Sequence, residues 1–166
     1  MIFFIVERFL IIERESLTIS KIVQLAEALT FTPTVHLNWN PSISKLKKEE
    51  VAAIFINIEL KNIRIDEITK QFNISTGQSS SKKIPLFYLY TYENSENFKK
   101  AMQYHYTEKL QKPFKLENLY FLIEKYLELD FVRTENFEGK NKLRKLKDFS
   151  EEMKIWMQHL NQLIRQ

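Results

Sequence analysis

The stretch VAAIFI, residues 51–56, is an uninterrupted apolar run of strand length. A strand in a parallel sheet with helices on both faces buries both of its sides, so it reads as a continuous apolar run and not as an alternating one. We therefore predict that this run is the central strand of a parallel sheet. The sequence on either side must then supply the other strands and the helices that cover them.

Upstream of this run, strand and helix signals alternate. Residues 9–13 are predicted to form a strand, and residues 34–38 a second one. Asn40 is a favourable N-cap and Pro41 suits a first helical turn, so we expect a helix from there to about Glu50. Between the two strands, apolar residues recur at helical spacing from Leu17 onward: Ile19, Ile22, Val23, Ala26 and Leu29.

The same alternation continues downstream of the central run. We predict helices near residues 65–72, 95–102 and 116–127, a polar loop at 73–83, and strands at 84–90 and 108–110. Together these segments make five β/α units. A chain of this length with five right-handed crossovers predicts an α/β fold: a five-stranded, doubly wound parallel sheet of the flavodoxin-like type.

Composition excludes several classes of chemistry. The chain has no cysteine, two glycines and three scattered histidines, His36, His105 and His159. It therefore offers no disulfide, thiolate zinc site, catalytic thiol or glycine-rich phosphate loop. We expect no cofactor, no metal and no enzymatic activity, and we take a cytoplasmic location as the default. The apolar N-terminal residues 1–12 are interrupted by Glu7 and Arg8 and are too short to span a membrane.

The net charge of +4 is mostly a property of the C-terminal segment. Residues 131–166 carry eight basic and five acidic residues, which leaves +1 for the first 130. A basic body that grips nucleic acid is therefore not favoured. We divide the chain into a domain at 1–130 and a basic linker with an amphipathic C-terminal helix at 131–166.

Three segments resemble the receiver domain of two-component response regulators, over about residues 9–130. The most specific is Lys112-Pro113-Phe114, similar to the family's ending of the fifth strand, where a cis peptide usually precedes the proline. Residues 84–89 are similar to the fourth strand and residues 54–59 to the third. The resemblance implies a receiver-type fold with a cis-proline candidate at Pro113.

The resemblance also implies a phosphorylation pocket, and most of its parts are replaced. Glu13 and Arg14 stand where the family has a metal-binding acidic pair, Asn57 where it has the phosphoacceptor aspartate, and Tyr90 where it has a hydroxyl residue; only Lys112 is retained. An amide is a far weaker nucleophile than a carboxylate, and Arg14 puts a cation where Mg²⁺ would bind. With a formal charge of about +1 over these five residues, the pocket is predicted to repel a divalent metal. Lys109 also replaces the family's aromatic switch residue.

The register of the first strand has two solutions. Residues 4–9 and residues 10–15 both resemble a strand that ends in the acidic pair, and both place Glu before Arg. We prefer the second because the helix then starts at once.

The altered pocket has three interpretations. Arg14 and Lys112 could replace the metal and bridge to Glu13 and Asn57, locking one conformation. The site could instead have decayed, with no role beyond stability. In a third interpretation, an anion sits between Arg14 and Lys112.

Aromatic residues and the C-terminal helix suggest surfaces for protein partners. Tyr104, Tyr106, Lys109 and Tyr120 enrich the face that receivers commonly use for binding, although aromatics of this kind also serve as core. In the C-terminal segment, Leu146, Phe149, Met153, Trp156, Leu160 and Leu163 are spaced as an a/d seam. This seam is too short to decide between dimerisation and packing on the same chain. Ser150 is a candidate N-cap for this helix, although the seam could also begin earlier.

These observations favour a non-catalytic pseudo-receiver: a phosphorylation-independent protein-interaction or regulatory module of bacterial two-component signalling, with a protein partner and a homodimer through the tail or the last domain helix. Two alternatives stay open. One is a nucleic-acid-associated regulator that uses the basic tail, and the other is a small-ligand sensor at the former phosphorylation pocket.

Overall fold

The computed structural model describes residues 6–72, 74, 83–127 and 137–164, without the side chains of residues 137–150. The chain separates into two compact units, residues 1–127 and residues 128–166. Residues 131–136 of the predicted linker and most of the polar loop at 73–83 lie outside the described residues, whereas the predicted linker from residue 137 onward is helical. Each unit is described by itself.

The first unit is built on a five-stranded parallel sheet. Its strands are β1 (Arg8–Ile12), β2 (Thr32–His36), β3 (Val51–Asn57), β4 (Leu86–Tyr90) and β5 (Glu108–Gln111), in the spatial order β2-β1-β3-β4-β5. All four strand pairs are parallel. The run that begins at Val51 is the central strand, and every one of its residues is buried, so the predicted fold class is confirmed.

In the described part of this unit, four α-helices accompany the sheet: α1 (Ser16–Ala28), α2 (Ile65–Gln71), α3 (Glu96–Ala101) and α4 (Leu116–Tyr126). Strand residues of alternating parity face opposite sides of the sheet. On one side, Leu10, Ile54 and Tyr88 pack in a cluster with buried residues of α2 and α3. On the other, the Phe55 ring lies 5.1 Å from that of Phe87, which contacts Tyr126 at the end of α4. The sheet is therefore covered on both faces.

The expected helix between β2 and β3 is not an α-helix. The chain forms two short 3₁₀ helices there, Pro41–Lys45 and Lys48–Glu50. Asn40 does cap the first, since its side chain accepts a hydrogen bond from the Ser42 amide at 2.9 Å. Ile43 is the only buried residue that these two helices contribute. With no apolar stripe to bury, an α-helix gains too little from packing to form here.

The second unit contains one long helix, α5 (Phe137–Ile164), of 28 residues. Ser150 lies inside this helix, so its prediction as the N-cap was wrong. Lysine, arginine and leucine before Ser150 are good helix formers, and they extend the helix toward the N-terminus. Trp156, Leu160 and Leu163 are exposed along it. Within the described ranges, no helix combines the length and hydrophobicity that a bilayer crossing requires.

Candidate functional site

The five predicted pocket residues lie at one edge of the sheet. Glu13 and Arg14 directly follow β1, Asn57 ends β3, Tyr90 ends β4 and Lys112 directly follows β5. Because the strands are parallel, their carboxyl ends meet at the same edge. β1 begins at Arg8, so the structure has the preferred register of the first strand, in which Glu13 follows it.

Glu13 is the centre of the site. It is fully buried, and its Oε1 accepts three hydrogen bonds: from the Asn57 side-chain amide at 2.8 Å and from the backbone N–H groups of Arg14 and Glu15 at 2.8 and 3.1 Å. Its Oε2 accepts from Lys112 Nζ at 3.1 Å. A buried carboxylate is stable only when its oxygens are paired in this way.

Lys112 supplies the cation of the site. Its side chain is 8% exposed, and its Nζ lies 3.1 Å from Glu13 and 3.5 Å from Glu15. The Lys112–Pro113 peptide bond is cis. The lysine is thus shared between two carboxylates of the β1–α1 loop and joins that loop to the end of β5.

Asn57 connects Glu13 to the loop after β3. It donates to Glu13 Oε1, and its own Oδ1 accepts from the Glu59 backbone amide at 2.9 Å. Both ends of the carboxamide are therefore used, and the amide orientation is fixed by a carboxylate on one side and an N–H group on the other.

Glu59 continues this network to the loop after β4. Its Oε1 accepts from the backbone amides of Thr91 and Tyr92 at 2.7 and 2.8 Å. Hydrogen bonds from backbone N–H groups to a carboxylate are charge-assisted and stronger than neutral ones. The loops after β3 and β4 are therefore held together by one carboxylate.

Sequence reasoning missed Glu15 and Glu59. Each lies two residues beyond a predicted pocket residue, in the loop that follows a strand, and this position was the signal that could have revealed them. Counting both, the site carries three carboxylates and two cations, so its formal charge is −1 and not the expected +1. Within the described ranges, no group of three or more acidic or histidine side chains is placed to hold a metal ion.

Arg14 does not join the buried network. Its backbone amide bonds Glu13, but its side chain is exposed and makes no ion pair with any described residue. Arg14 instead lines an open cleft with Trp39 and residues 59–62. Of the expected bridges from Arg14 and Lys112 to Glu13 and Asn57, the structure therefore has only the one from Lys112 to Glu13 among the described residues.

Tyr90 is engaged on the outer side of the site. Its hydroxyl donates to Glu93 at 3.2 Å, and its ring lies 5.0 Å from that of Phe98. Lys109 Nζ lies 5.2 Å from the Phe98 ring and 3.9 Å from Glu93. Burial raises the pKa of Tyr90, and the Glu93 carboxylate raises it further.

The residues predicted to form an interaction surface differ in exposure. Tyr104 is exposed, whereas Tyr106 is half-buried, stacks on Tyr88 at 4.7 Å between ring centroids and packs against the core. Tyr120 on α4 is half-buried, and burial raises its pKa. Phe121 beside it is exposed and was not anticipated. Trp156 and Leu160 belong to the second unit.

Comparison with solved structures identifies the fold. The non-phosphorylated HemR receiver domain of Leptospira biflexa matches with a TM-score of 0.56 at 14% identity, covering 74% of this chain and 95% of that one. The chain has the receiver fold. The magnesium-bound receiver domain of the sensor histidine kinase PA1611 from Pseudomonas aeruginosa matches with a TM-score of 0.54 at 18% identity, over 72% of this chain and 95% of that one.

The chain also matches part of a longer protein. NtrX from Brucella abortus, in complex with ADP, has a TM-score of 0.56 and 18% identity over 86% of this chain. The chain spans only 28% of the length of NtrX. No protein-family model and no curated protein matches the sequence.

Proposed function

We propose that the receiver-fold unit is a pseudo-receiver: a non-catalytic module of bacterial two-component signalling that binds a protein partner without being phosphorylated. The observation that carries this proposal is the Asn57–Glu13–Lys112 network. Asn57 occupies the end of the central strand and Lys112 is paired with Glu13, so the groups that would accept and stabilise a phosphoryl group are absent or already bonded.

The chemistry of the site supports this proposal. A carboxylate attacks phosphorus through a charged oxygen, whereas the Asn57 amide oxygen is neutral and already accepts a hydrogen bond from Glu59. Arg14 removes one of the carboxylates that a hard cation such as Mg²⁺ needs. Neither the nucleophile nor the metal pair of a phosphorylated receiver is present.

The direct test is incubation with acetyl phosphate and Mg²⁺, followed by intact-mass spectrometry. We expect the mass to stay unchanged under conditions in which a phosphorylatable receiver gains one phosphoryl group. An adduct that maps to residues 6–127 would overturn the proposal. The Arg14→Asp/Asn57→Asp double variant, which restores both carboxylates, is the matched comparison.

We place the partner's contact on the surface formed by α3, β5 and α4, where Tyr104 and Phe121 are exposed. Exposed aromatics are enriched in protein interfaces. A partner captured from the producing cell should be lost with a Tyr104→Ala/Phe121→Ala bait and kept with Tyr92→Ala, which removes an exposed tyrosine elsewhere. Equal capture of the partner by both baits would show that the interface does not lie on this surface.

The homodimer is proposed to form through α5. Met153, Trp156, Leu160 and Leu163 continue an a/d spacing, and such a stripe is buried when two helices pair. Sedimentation velocity should show a dimer that Trp156→Ala/Leu160→Ala dissociates and Gln158→Ala does not. A monomeric full chain would exclude this interface.

The nucleic-acid alternative depends on the basic residues within 140–147. The structure does not describe their side chains. A cytoplasmic location also stays a prediction.

A further inference from the structure

A cleft of about 410 Å³ opens at the carboxyl ends of β1, β2 and β3. Arg14 from the end of β1, Asn38 and Trp39 from the end of β2, and residues 59–62 after β3 line it. Open α/β sheets bind ligands outside the carboxyl ends of their strands, where the strand order reverses. The order β2-β1-β3 places the reversal at this cleft.

The apolar part of the cleft is fixed to the core. Trp39 and Leu60 are half-buried, and both pack against the core cluster of the first unit. An indole that is held in place presents a preorganised aromatic surface. Aromatic rings prefer to stack on such a surface, so this side of the cleft favours a planar ring.

The polar part of the cleft has unused binding capacity. The Arg14 guanidinium makes no hydrogen bond or ion pair with any described residue, and Lys61 is exposed beside it. A guanidinium binds phosphate through two parallel hydrogen bonds. Among the described lining residues, Glu59 is the only acidic one, so together they carry a formal charge of +1, which favours an anion.

Glu59 adds a second element of selectivity. Its Oε1 is committed to the amides of Thr91 and Tyr92, whereas its Oε2 makes no hydrogen bond with a described residue. The free acceptor suits an amino group, as carboxylates accept from the exocyclic amines of nucleobases. The amides of Asn38 and Asn62 supply further donors and acceptors at the same cleft.

We propose that this cleft binds a nucleoside monophosphate whose base carries an exocyclic amino group. The phosphate pairs with Arg14 and Lys61, the base packs on Trp39, and its amino group donates to Glu59. Neither Glu13 nor Lys112 lines the cleft. The anion site therefore differs from one between Arg14 and Lys112, and the proposal does not depend on whether the pocket accepts phosphate.

The chain carries its own probe for this site. It has two tryptophans, Trp39 in the cleft and Trp156 in the second unit, so a ¹⁵N-labelled chain gives two indole N–H signals that the Trp156→Phe variant assigns. We expect adenosine monophosphate to shift the Trp39 signal saturably and to leave the Trp156 signal unchanged. Adenosine, which lacks the phosphate, should bind about tenfold more weakly or worse, because a charge-assisted pair is lost.

Variants and ligand analogues separate the contacts. Arg14→Gln should weaken adenosine monophosphate binding about tenfold or more, whereas Arg64→Gln, the same change on a nearby exposed arginine outside the cleft, should not. Inosine monophosphate, without the amino group, should bind more weakly than adenosine monophosphate.

Three outcomes would overturn the proposal. The first is the absence of a saturable Trp39 shift, and the second is equal affinity of the Arg14→Gln and wild-type chains. The third is inorganic phosphate binding as tightly as adenosine monophosphate, since the ring would then contribute nothing. Because Arg14 is exposed and unpaired among the described residues, its variant should unfold at the wild-type temperature, which separates lost binding from lost structure.

Discussion

Lys112 and Glu13, separated by 99 positions in the sequence, form a buried ion pair with Nζ and Oε2 at 3.1 Å. Glu13 follows β1 and Lys112 follows β5, so the pair reaches across the carboxyl edge of the sheet. Asn57, at the end of β3, one of the two strands between them, donates to the other oxygen of the same carboxylate. The edge where a ligand or phosphoryl group would bind is therefore tied together by the protein's own side chains.

Removing the Lys112 ammonium group should destabilise the fold, because Glu13 then stays buried without its cation. We expect Lys112→Met to lower the free energy of unfolding by about 3–5 kcal/mol, because it leaves an uncompensated carboxylate in the interior. Urea denaturation measures this loss. Lys109→Met is the matched control: its ion pair with Glu93 is solvent-exposed, so its loss should stay within about 1 kcal/mol. If both variants lost the same free energy of unfolding, the buried ion pair would stabilise the fold no more than the exposed one.

Restoring an aspartate at the end of β3 should create a repulsive pair of carboxylates. Asn57→Asp replaces the N–H donor that now lies 2.8 Å from Glu13 Oε1, and we expect a loss of about 2 kcal/mol or more at neutral pH. At lower pH the two carboxylates can share a proton, which relieves their repulsion. Part of the lost stability should therefore return as the pH falls. A loss that does not depend on pH, or one no larger than for exposed Asn118→Asp, would contradict this account.

The Glu59 carboxylate should control the loop after β4. Glu59→Ala removes the acceptor of the Thr91 and Tyr92 amides, and we expect the protection of these two amides from hydrogen exchange to fall about 10- to 100-fold. Glu59→Gln keeps an oxygen acceptor without the charge. The protection of the two amides in this variant should lie between that in wild type and that in Glu59→Ala. Glu93→Ala, which removes an exposed carboxylate near the same loop, should leave the two amides protected. Unchanged exchange in Glu59→Ala would show that the loop is held by other contacts.

His36 should make the stability depend on pH. It ends β2, its carbonyl accepts from the Glu13 amide, and burial lowers the pKa of its imidazole below 6.5. In the window between the lowered folded pKa and 6.5, the unfolded state binds more protons, so stability falls as the pH falls. His36→Gln should lose less stability than wild type between neutral pH and about pH 5. Asn38→Gln, which removes no ionisable group, should keep the wild-type slope; an unchanged slope in His36→Gln would exclude this contribution.

The sheet could be predicted from the sequence because a strand that is buried on both faces is apolar at consecutive positions. The strand that begins at Val51 is apolar at every position before Asn57, and the shorter apolar runs place the other strands to within about two residues. The prediction of an α-helix after Asn40 was wrong, because a good cap and an N1 proline start a turn but do not supply an apolar face. The start of α5 was missed because Ser150 is a good cap residue that is also tolerated inside a helix.

By itself, the sequence determined that Glu13, Asn57 and Lys112 meet at one edge, since residues that follow parallel strands share that edge. Only the tertiary structure decided which of two cations pairs with Glu13. Arg14 is its neighbour in sequence but is exposed and lines an open cleft, whereas Lys112 follows the far strand and is buried with Glu13. Arg14 and Lys112 carry the same charge, so composition and spacing cannot separate them. The path of the chain and the burial of each side chain can.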